Sequence, residues 1–493
     1  MLKLLLSSII CLSLTCSSSL FSSEKSMNVL FIAIDDLNDW IGPMGGNPQV
    51  KTPHLDRFAE KSIVMNKAYC AATVCGPSRS SLLTGKACHN TGVYGNENNL
   101  KNAPKTKDLE TLPEYFGNRG YFTLSVGKIF HKHMTEKGLD EGQWAFHEVA
   151  KPKGTVNGML WEKQAVHPDY KYGGSPMKWG ATKASLEKTK DYLNAKWAAD
   201  QFERDFDDKP FFMALGISRP HLPFFVPQKY FDMYPEDKVK IAPCKMDDHD
   251  DILNPDGKPA FKGPDATWLA VDKTDSHLGL NRAYMASVSY ADDCLGMLFD
   301  ALEKSKYADN TIVMLWGDHG WYLGEKLRYR KTGLWEEAAR VPFMVRVPGV
   351  NEGTKSDGVI NLLDMYPTLV ELCGLPANPK NDGRSFAKLI HKPQMKWNEP
   401  TLTTMGYKNH SLTDGRYRFI NYGGGKGAEE FYDHDSDPLE YNNLVRNPEY
   451  KDLVARFKAL LPKSNEKMTA KNSIGKKSGK KTGKKSGKKS GKK

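Results

Sequence analysis

The segment NVLFIAIDDLNDW opens with an apolar run, Val29 to Ile34, that stops abruptly at Asp35 and Asp36. A short run with no polar residue on either face predicts a strand buried on both sides in a parallel sheet. The same grammar returns in NTIVMLWGDHGW, where Thr311 to Trp316 end at Asp318. Ligand-binding groups of open α/β sheets collect at the carboxyl ends of strands, so these two strands are expected to deliver acids to one edge.

Between them, helical patterns (TPHLDRFAEKSIV, LPEYFGNRG, SLEKTKDYLNAKWAADQFERDF, RAYMASVSYADDCLGMLFDALEKSK) alternate with strand-like pieces (YFTLSVG, PFFMALGIS), and VPFMVRVPG follows the second acid. That alternation predicts an α/β body over residues 27–395, a mostly parallel central sheet sandwiched by helices. Beyond it, GRYRFINYGG and EEFYDHDSDPLEYNNL read as short aromatic strands between glycine turns, and PEYKDLVARFKALL as a helix. A smaller C-terminal antiparallel-sheet subdomain is expected over residues 396–466.

Both ends depart from this pattern. The first residues, MLKLLLSSIICLSLTCSSSLFSSEK, carry one early cation, an apolar run from Leu4 to Leu14 and then small polar residues. Residues 1–22 therefore read as a signal peptide cleaved near Ser19, and the chain as secreted or periplasmic. The run is too short to span a bilayer, and no later segment approaches that length, so no transmembrane segment is expected. Residues 467–493 repeat lysine pairs with Gly and Ser or Thr, a composition that repels itself and buries nothing; a disordered tail is expected.

The formal net charge is +11, and the eleven lysines from Lys471 onward, with no acid among them, account for all of it. The basic balance is thus a property of the tail and says nothing of the body. Clustered lysines bind polyanions by counterion release. No aromatic residue interleaves with them, which argues against a specific nucleic-acid partner. Of eight cysteines, Cys11 and Cys16 fall in the leader, and the other six lack paired metal-type spacing. A disulfide scaffold is excluded; Cys70 with Cys88 is one candidate bridge.

Cys75 sits two residues before Pro77, which marks the first turn of a helix. Free backbone N–H groups there favour an anion. Cys75, Pro77, Ser78, Arg79, Leu83, Thr84 and Gly85 form the pattern C-x-P-S-R-x-x-x-L-T-G. On these residues the chain resembles the type I sulfatases of the alkaline phosphatase superfamily. The resemblance implies that a formylglycine-generating enzyme oxidises Cys75 to an aldehyde during export. One oxygen of its hydrate attacks sulfur and expels the alcohol; the second lets the carbonyl re-form and releases sulfate. Covalent catalysis of this kind splits one hard step into two easier ones.

The acids at the strand ends are hard oxygen donors suited to Ca²⁺ or Mg²⁺. The resemblance implies a calcium site, with Mg²⁺ as the alternative, held by Asp35, Asp36, Asp318, His319 and the modified Cys75. Many relatives have asparagine where this chain has His319. GYFTLSVGKIFH is similar to a second family signature, with one additional residue before the histidine; it implies that Lys128 neutralises sulfate and His131 handles the diol proton. GISRPHLPFFVP supplies His221, the implied donor to the leaving alcohol, and DHGWYLGEKLRYRKTG supplies Lys331, the implied ligand of a sulfate oxygen. Arg328 and Arg330 crowd that stretch. Arg79 is implied to steady the nucleophile.

Further matches, from DDLND through GKIFH, RPHLPF and DHGWYLGE to FYDHDSDPLEYNNL, resemble the iduronate-2-sulfatase-like branch. The expected function is hydrolysis of sulfate esters of a sulfated glycan, such as a 2-sulfated uronate. Two alternatives are a formylglycine-dependent phosphonate or phosphate ester hydrolase, and a non-catalytic protein that binds sulfated polysaccharide.

Overall fold

The computed structural model describes residues 26–469 apart from 99, 102, 132, 136–137, 141, 154–176 and 398. Residues 1–25, which include the expected leader, lie outside the described residues. Eight strands form the central sheet: β1 (Asn28–Ile34), β2 (Ile63–Tyr69), β3 (Phe122–Val126), β4 (Glu148–Ala150), β5 (Phe211–Ile217), β6 (Thr311–Gly317), β7 (Phe343–Arg346) and β8 (Thr354–Asn361). Their order is β8-β2-β7-β6-β1-β5-β3-β4. All pairings are parallel except those of β7, which runs antiparallel to both β6 and β2.

The apolar run of β1 is buried along its whole length. Leu30, Ile32 and Ile34 point into one core with the long helix His277–Lys304, whereas Val29, Phe31 and Ala33 point into a second core on the opposite face. Full burial of each such large side chain contributes about 1.5–3 kcal/mol, which is why a continuous apolar run specifies a strand between two helical layers. Helix α1 (Pro53–Ala59), α4 (Lys190–Asp200) and α5 (His277–Lys304) cover one face; α2 (Cys75–Thr84), α3 (Leu112–Gly117) and α6 (Met365–Leu372) cover the other.

Among the strands that carry no clear signal in the sequence are β2 and β8. Ile63 and Val64 continue the helical reading of TPHLDRFAEKSIV but open β2, because the helix stops at Ala59. Strand β8 alternates exposed Lys355 and Asp357 with buried Ser356 and Gly358, as an edge strand should, and its first half is too polar to register as a run. The candidate bridge is corrected: Cys70 and Cys88 are separate thiols, facing the Ala338 carbonyl at 3.6 Å and Ser81 Oγ at 3.1 Å.

A second sheet, antiparallel throughout, runs β9 (Thr401–Thr404), β10 (His410–Thr413), β11 (Tyr417–Asn421) and β12 (Glu429–Asp433). Helix α7 (Lys451–Ala459) packs Phe457 on Phe419 and Phe431. Arg418, fully buried, ties this sheet to the body through Glu336 and, at 2.6 Å, to Glu440. Lys467 to Thr469, placed by the sequence in the tail, stay against the body: the Thr469 N–H donates to the Gly92 carbonyl. No helix among the described residues is long and apolar enough to cross a membrane.

Candidate active site

Strand register decides which loops meet. Ile34 lies opposite Gly317 on one side and Ile217 on the other, and Val126 opposite Leu215. Four neighbouring parallel strands therefore end at one edge, and the next residues are Asp35–Asp36, Lys128, the loop to His221, and Asp318–His319. Asp36 takes a left-handed backbone, φ 62°, which costs a non-glycine residue about 1–3 kcal/mol. Its N–H donates to Asp318 Oδ1 at 3.0 Å and its carbonyl accepts from the Tyr284 hydroxyl at 2.8 Å, so the turn is held from both sides.

Helix α2 begins at Cys75, two residues before Pro77, with Val74 extended as its N-cap. No side chain of Val74 can serve the first turn; instead the Gly76 N–H donates to Asn96 Oδ1 at 2.7 Å. The helix ends at Gly85, φ 69°, where an added Cβ would lie 2.1 Å from Asn381 Oδ1. That fixes the last glycine of the cysteine motif by geometry. The thiol of Cys75 faces His319 Nε2 at 3.2 Å, Lys331 Nζ at 3.1 Å and Asp36 Oδ1 at 3.9 Å. Burial pushes this thiol up to about 12, against the pull of Lys128 and Lys331. As a thiol it stays protonated.

Arg79 reaches under the cluster from the same helix. Its Nε donates to Asp318 Oδ2 at 2.8 Å, Nη2 to Asp35 Oδ1 at 3.1 Å, and Nη1 to the carbonyls of Lys128 and Ile129 at 2.6 and 2.9 Å. Lys128 Nζ lies 2.6 Å from Asp35 Oδ2, and Lys331 Nζ 2.5 Å from Asp36 Oδ1. Burial alone would raise the Asp35 carboxyl, but Lys128, His221, Arg79 and Lys331 together hold it well below the usual carboxylate range.

His319 is fully buried, and its Nδ1–H donates to the Gly320 carbonyl at 2.9 Å. Burial lowers its pKa despite Asp318. The neutral ring then turns the Nε2 lone pair toward Asp36 Oδ1, at 3.3 Å, and the residue-75 side chain. His221 sits on a loop with cis Arg219–Pro220 and Leu222–Pro223 peptides, with Nδ1 2.6 Å from the Leu222 carbonyl and Nε2 3.8 Å from Asp36 Oδ2. Its side chain is 32 % exposed, so it stands at the solvent side of a buried cluster. Arg219 donates to the carbonyls of Phe225 and His221 and shapes that loop. Arg328 turns away, over Phe261 and Trp335, so of these two it is Lys331 that reaches Cys75. His131 is half-buried on the loop that Lys128 begins.

Sequence reasoning missed four supports. Asp191 accepts both the Ser218 and Arg219 N–H groups at 3.0 Å and fixes the His221 loop; Ser78 donates to the Asp318 carbonyl at 2.6 Å; Asn96 and Tyr284 act as described. Only Ser78 had a signal, as a motif position. The other three lie in unrelated segments and meet the site through the fold.

Asp36 Oδ2 is buried with no hydrogen-bond partner, beside other carboxylate oxygens and the His319 lone pair. An orphaned carboxylate oxygen in a hard-donor set fits a divalent cation. Asp35, Asp36, Cys75 and His221 form one compact donor group, and Cys75, Asp318 and His319 another.

The arrangement places Lys128, Lys331 and Arg79 around the first turn of α2 and gathers acids that could hold a cation beside Cys75. Residues 27–375 match the sulfatase family, and residues 317–467 match the family described as N-sulphoglucosamine sulphohydrolase, C-terminal. A sulfatase of Formosa agariphila is 37 % identical over 464 residues, covering 90 % of this chain and 88 % of its own. Human iduronate 2-sulfatase is 27 % identical over 571 residues, covering 94 % and 98 %. In fold, the phosphonate monoester hydrolase of Agrobacterium radiobacter superposes with a TM-score of 0.67 at 18 % identity, covering 88 % of this chain and 94 % of that one. The chain belongs to the sulfatase family, and its reaction is the hydrolysis of sulfuric esters.

Proposed function

We propose that this sulfatase is exported, with residues 1–22 as signal peptide, and removes sulfate from a sulfated glycan such as a 2-sulfated uronate. The observation that carries the reading is Cys75 on the first residue of α2, within 3.2 Å of both His319 and Lys331. Similarity to iduronate 2-sulfatase supports the carbohydrate.

Formylglycine formed from Cys75 would supply a hydrated aldehyde, one hydroxyl of which attacks sulfur while the other permits release of sulfate. Ca²⁺ or Mg²⁺ held by Asp35, Asp36, Asp318, His319 and residue 75 would supply positive charge for the nucleophile and sulfate oxygens. Arg79 holds Asp35 and Asp318 apart and in place. Lys128 and Lys331 exchange their carboxylate partners for sulfate oxygens, a charge-assisted contact of the stronger kind. His131 takes the diol proton, and His221, at the solvent side, gives a proton to the leaving alcohol. Acid–base transfer of this kind typically contributes about 10²–10⁴-fold.

The test is mass spectrometry of the tryptic peptide spanning Cys75 from protein co-expressed with a formylglycine-generating enzyme, followed by assay on sulfated oligosaccharides. The aldehyde mass with sulfate release is expected. Intact cysteine despite the modifying enzyme would favour a non-catalytic binder of sulfated polysaccharide. The fold shared with a phosphonate monoester hydrolase favours one second reading. Paired aryl sulfate and aryl phosphonate substrates separate it: faster phosphonate turnover would displace the sulfate ester as the substrate.

A further inference from the structure

The turn between β9 and β10 lies beside the segment that leads into the nucleophile. Thr404, the last residue of β9, forms a parallel bridge with Ala72, and its N–H donates to the Ala71 carbonyl at 3.0 Å. From this bridge both chains continue in the same direction, one to Cys75 and the other to Tyr407, three residues on in each case. Three residues span at most about 11 Å and bridged chains lie about 5 Å apart, so the two Cα atoms are at most roughly 27 Å apart. A second contact ties the turn to the same place. The Tyr407 ring meets the Tyr94 ring at a near-perpendicular angle, centroids 5.9 Å apart, and Asn96, two residues after Tyr94, accepts from the Gly76 N–H at 2.7 Å.

The turn keeps its shape without using the two side chains at its tip. The Met405 N–H donates to the Asn409 carbonyl and Asn409 Nδ2 to the Met405 carbonyl, each at 3.0 Å. Asn409 Oδ1 accepts from the Gly423 N–H at 2.8 Å, and the Lys408 carbonyl from the Gly424 N–H at 2.9 Å. Gly406 and Lys408 both take the left-handed backbone, φ 66°, which is ordinary for glycine and uncommon for lysine. Tyr407 is 39 % exposed, and Lys408 Nζ stands 5.1 Å from the centre of its ring. Among the described residues Lys408 forms no ion pair. A single exposed aromatic residue is ordinary. Here a tyrosine held against a second ring and a cation without a carboxylate share one braced tip near the nucleophile, and tyrosine offers large, rigid contact area at low entropic cost.

We propose that Tyr407 and Lys408 form the subsite for the sugar residue next to the one that carries the scissile sulfate. The Tyr407 ring packs on the apolar face of that pyranose, and Lys408 pairs with its sulfate or carboxylate group. The inference rests on the sulfated-glycan reading above. Neither side chain is among the groups around residue 75, so the subsite sets affinity for a longer chain and leaves the chemical step alone.

The test uses the full formylglycine-bearing chain as wild type, Tyr407→Ala, Tyr407→Phe and Lys408→Gln. Each is assayed on 4-nitrophenyl sulfate, on the methyl glycoside of a 2-sulfated uronate, and on a heparin tetrasaccharide that ends in the same uronate. Tyr407→Ala should raise KM for the tetrasaccharide by about 3–10-fold at unchanged kcat, and Tyr407→Phe should keep the wild-type value. Lys408→Gln should raise it by about 2–5-fold at low salt, the difference shrinking at high salt. The aryl ester and the monosaccharide should be turned over alike by all four proteins. Equal tetrasaccharide KM in wild type and Tyr407→Ala, or equal losses on all three substrates, would overturn the subsite while leaving the sulfatase intact. Turnover of the aryl ester but of neither saccharide would overturn the glycan reading and the subsite with it. Turnover of none of the three by the wild type would overturn the sulfatase reading itself.

Discussion

Arg79 and Asp318, 239 residues apart in sequence, meet at 2.8 Å in a fully buried pair, and the other arm of the same guanidinium holds Asp35 at 3.1 Å. One planar fork thereby spaces two acids from neighbouring strands. An ammonium cannot occupy both positions in fixed geometry. With Asp35 and Asp318 as ligands of the proposed cation, Arg79→Lys should lower kcat by about 10–100-fold, the usual cost of disturbing groups that orient metal ligands. Arg79→Ala should also destabilise by about 3–5 kcal/mol, because buried carboxylates lose their partner. Steady-state kinetics with thermal melts check both; wild-type kcat in the lysine variant would refute the spacing role.

Lys331 touches both Asp36 and residue 75, which in the proposed mechanism places its charge at the reacting centre. Lys331→Ala should reduce kcat by about 10²–10³-fold, as for loss of one preorganised donor at a developing charge. Arg328→Ala, whose guanidinium lies over Phe261 and Trp335, should leave kcat within a few-fold. Equal losses in the two variants would show that the sequence stretch, not the single lysine, carries the function.

Removing divalent cations should abolish turnover and lower the melting temperature, since a ligand that binds only the folded chain stabilises it by about 2.7 kcal/mol at a hundredfold excess over Kd. Re-addition of Ca²⁺ or Mg²⁺ should restore both. Asp36→Asn, which replaces the orphaned oxygen, should weaken the response of the melting temperature to added cation. An unchanged melt with and without chelator would argue against the site.

His410, buried between Thr404 and Asn465, has a pKa pushed down to about 4 by that burial. An unfolded histidine titrates near 6.5. Between these values the unfolded chain takes a proton that the folded chain refuses. The stability His410 contributes is therefore fully present above about pH 6.5 and is lost as pH falls toward 4, by up to roughly 3 kcal/mol. His410→Gln should flatten the pH dependence of denaturant unfolding across that window. A parallel pair of curves would count against it.

Lys326 is fully buried in the left-handed region, φ 52°, with Nζ 2.9 Å from Asp248 and 2.6 Å from the Glu440 carbonyl. It anchors the segment that leads to Lys331 against the C-terminal sheet. Lys326→Met should destabilise by about 3–5 kcal/mol through the stranded Asp248 carboxylate, and adding Asp248→Asn should recover part of that loss. Chemical unfolding of the two variants checks the coupling; strictly additive effects would exclude it.

The chain's order of apolar runs was enough to determine the α/β class. A run such as Val29 to Ile34 has no polar face and can only be stable between two helical layers. The cysteine motif and the acids that end two runs were local patterns, so the chemistry around Cys75, Asp35, Asp36 and Asp318 was legible as residue types. What the sequence could not decide was adjacency. The edge strand β8 and the helix-like start of β2 are shaped by the neighbours they pair with, which no local pattern reports. Arg79 lies one helix away from acids on two strands, and Asp191, Asn96 and Tyr284 serve the site from segments with no motif of their own. Register also chose Lys331 over Arg328, and brought the turn at Tyr407 to the segment that caps α2. These are consequences of long-range pairing, in which backbone hydrogen bonds and burial fix distances between residues hundreds of positions apart. Local sequence specifies which groups are present; only the closed sheet specifies which of them share a buried site.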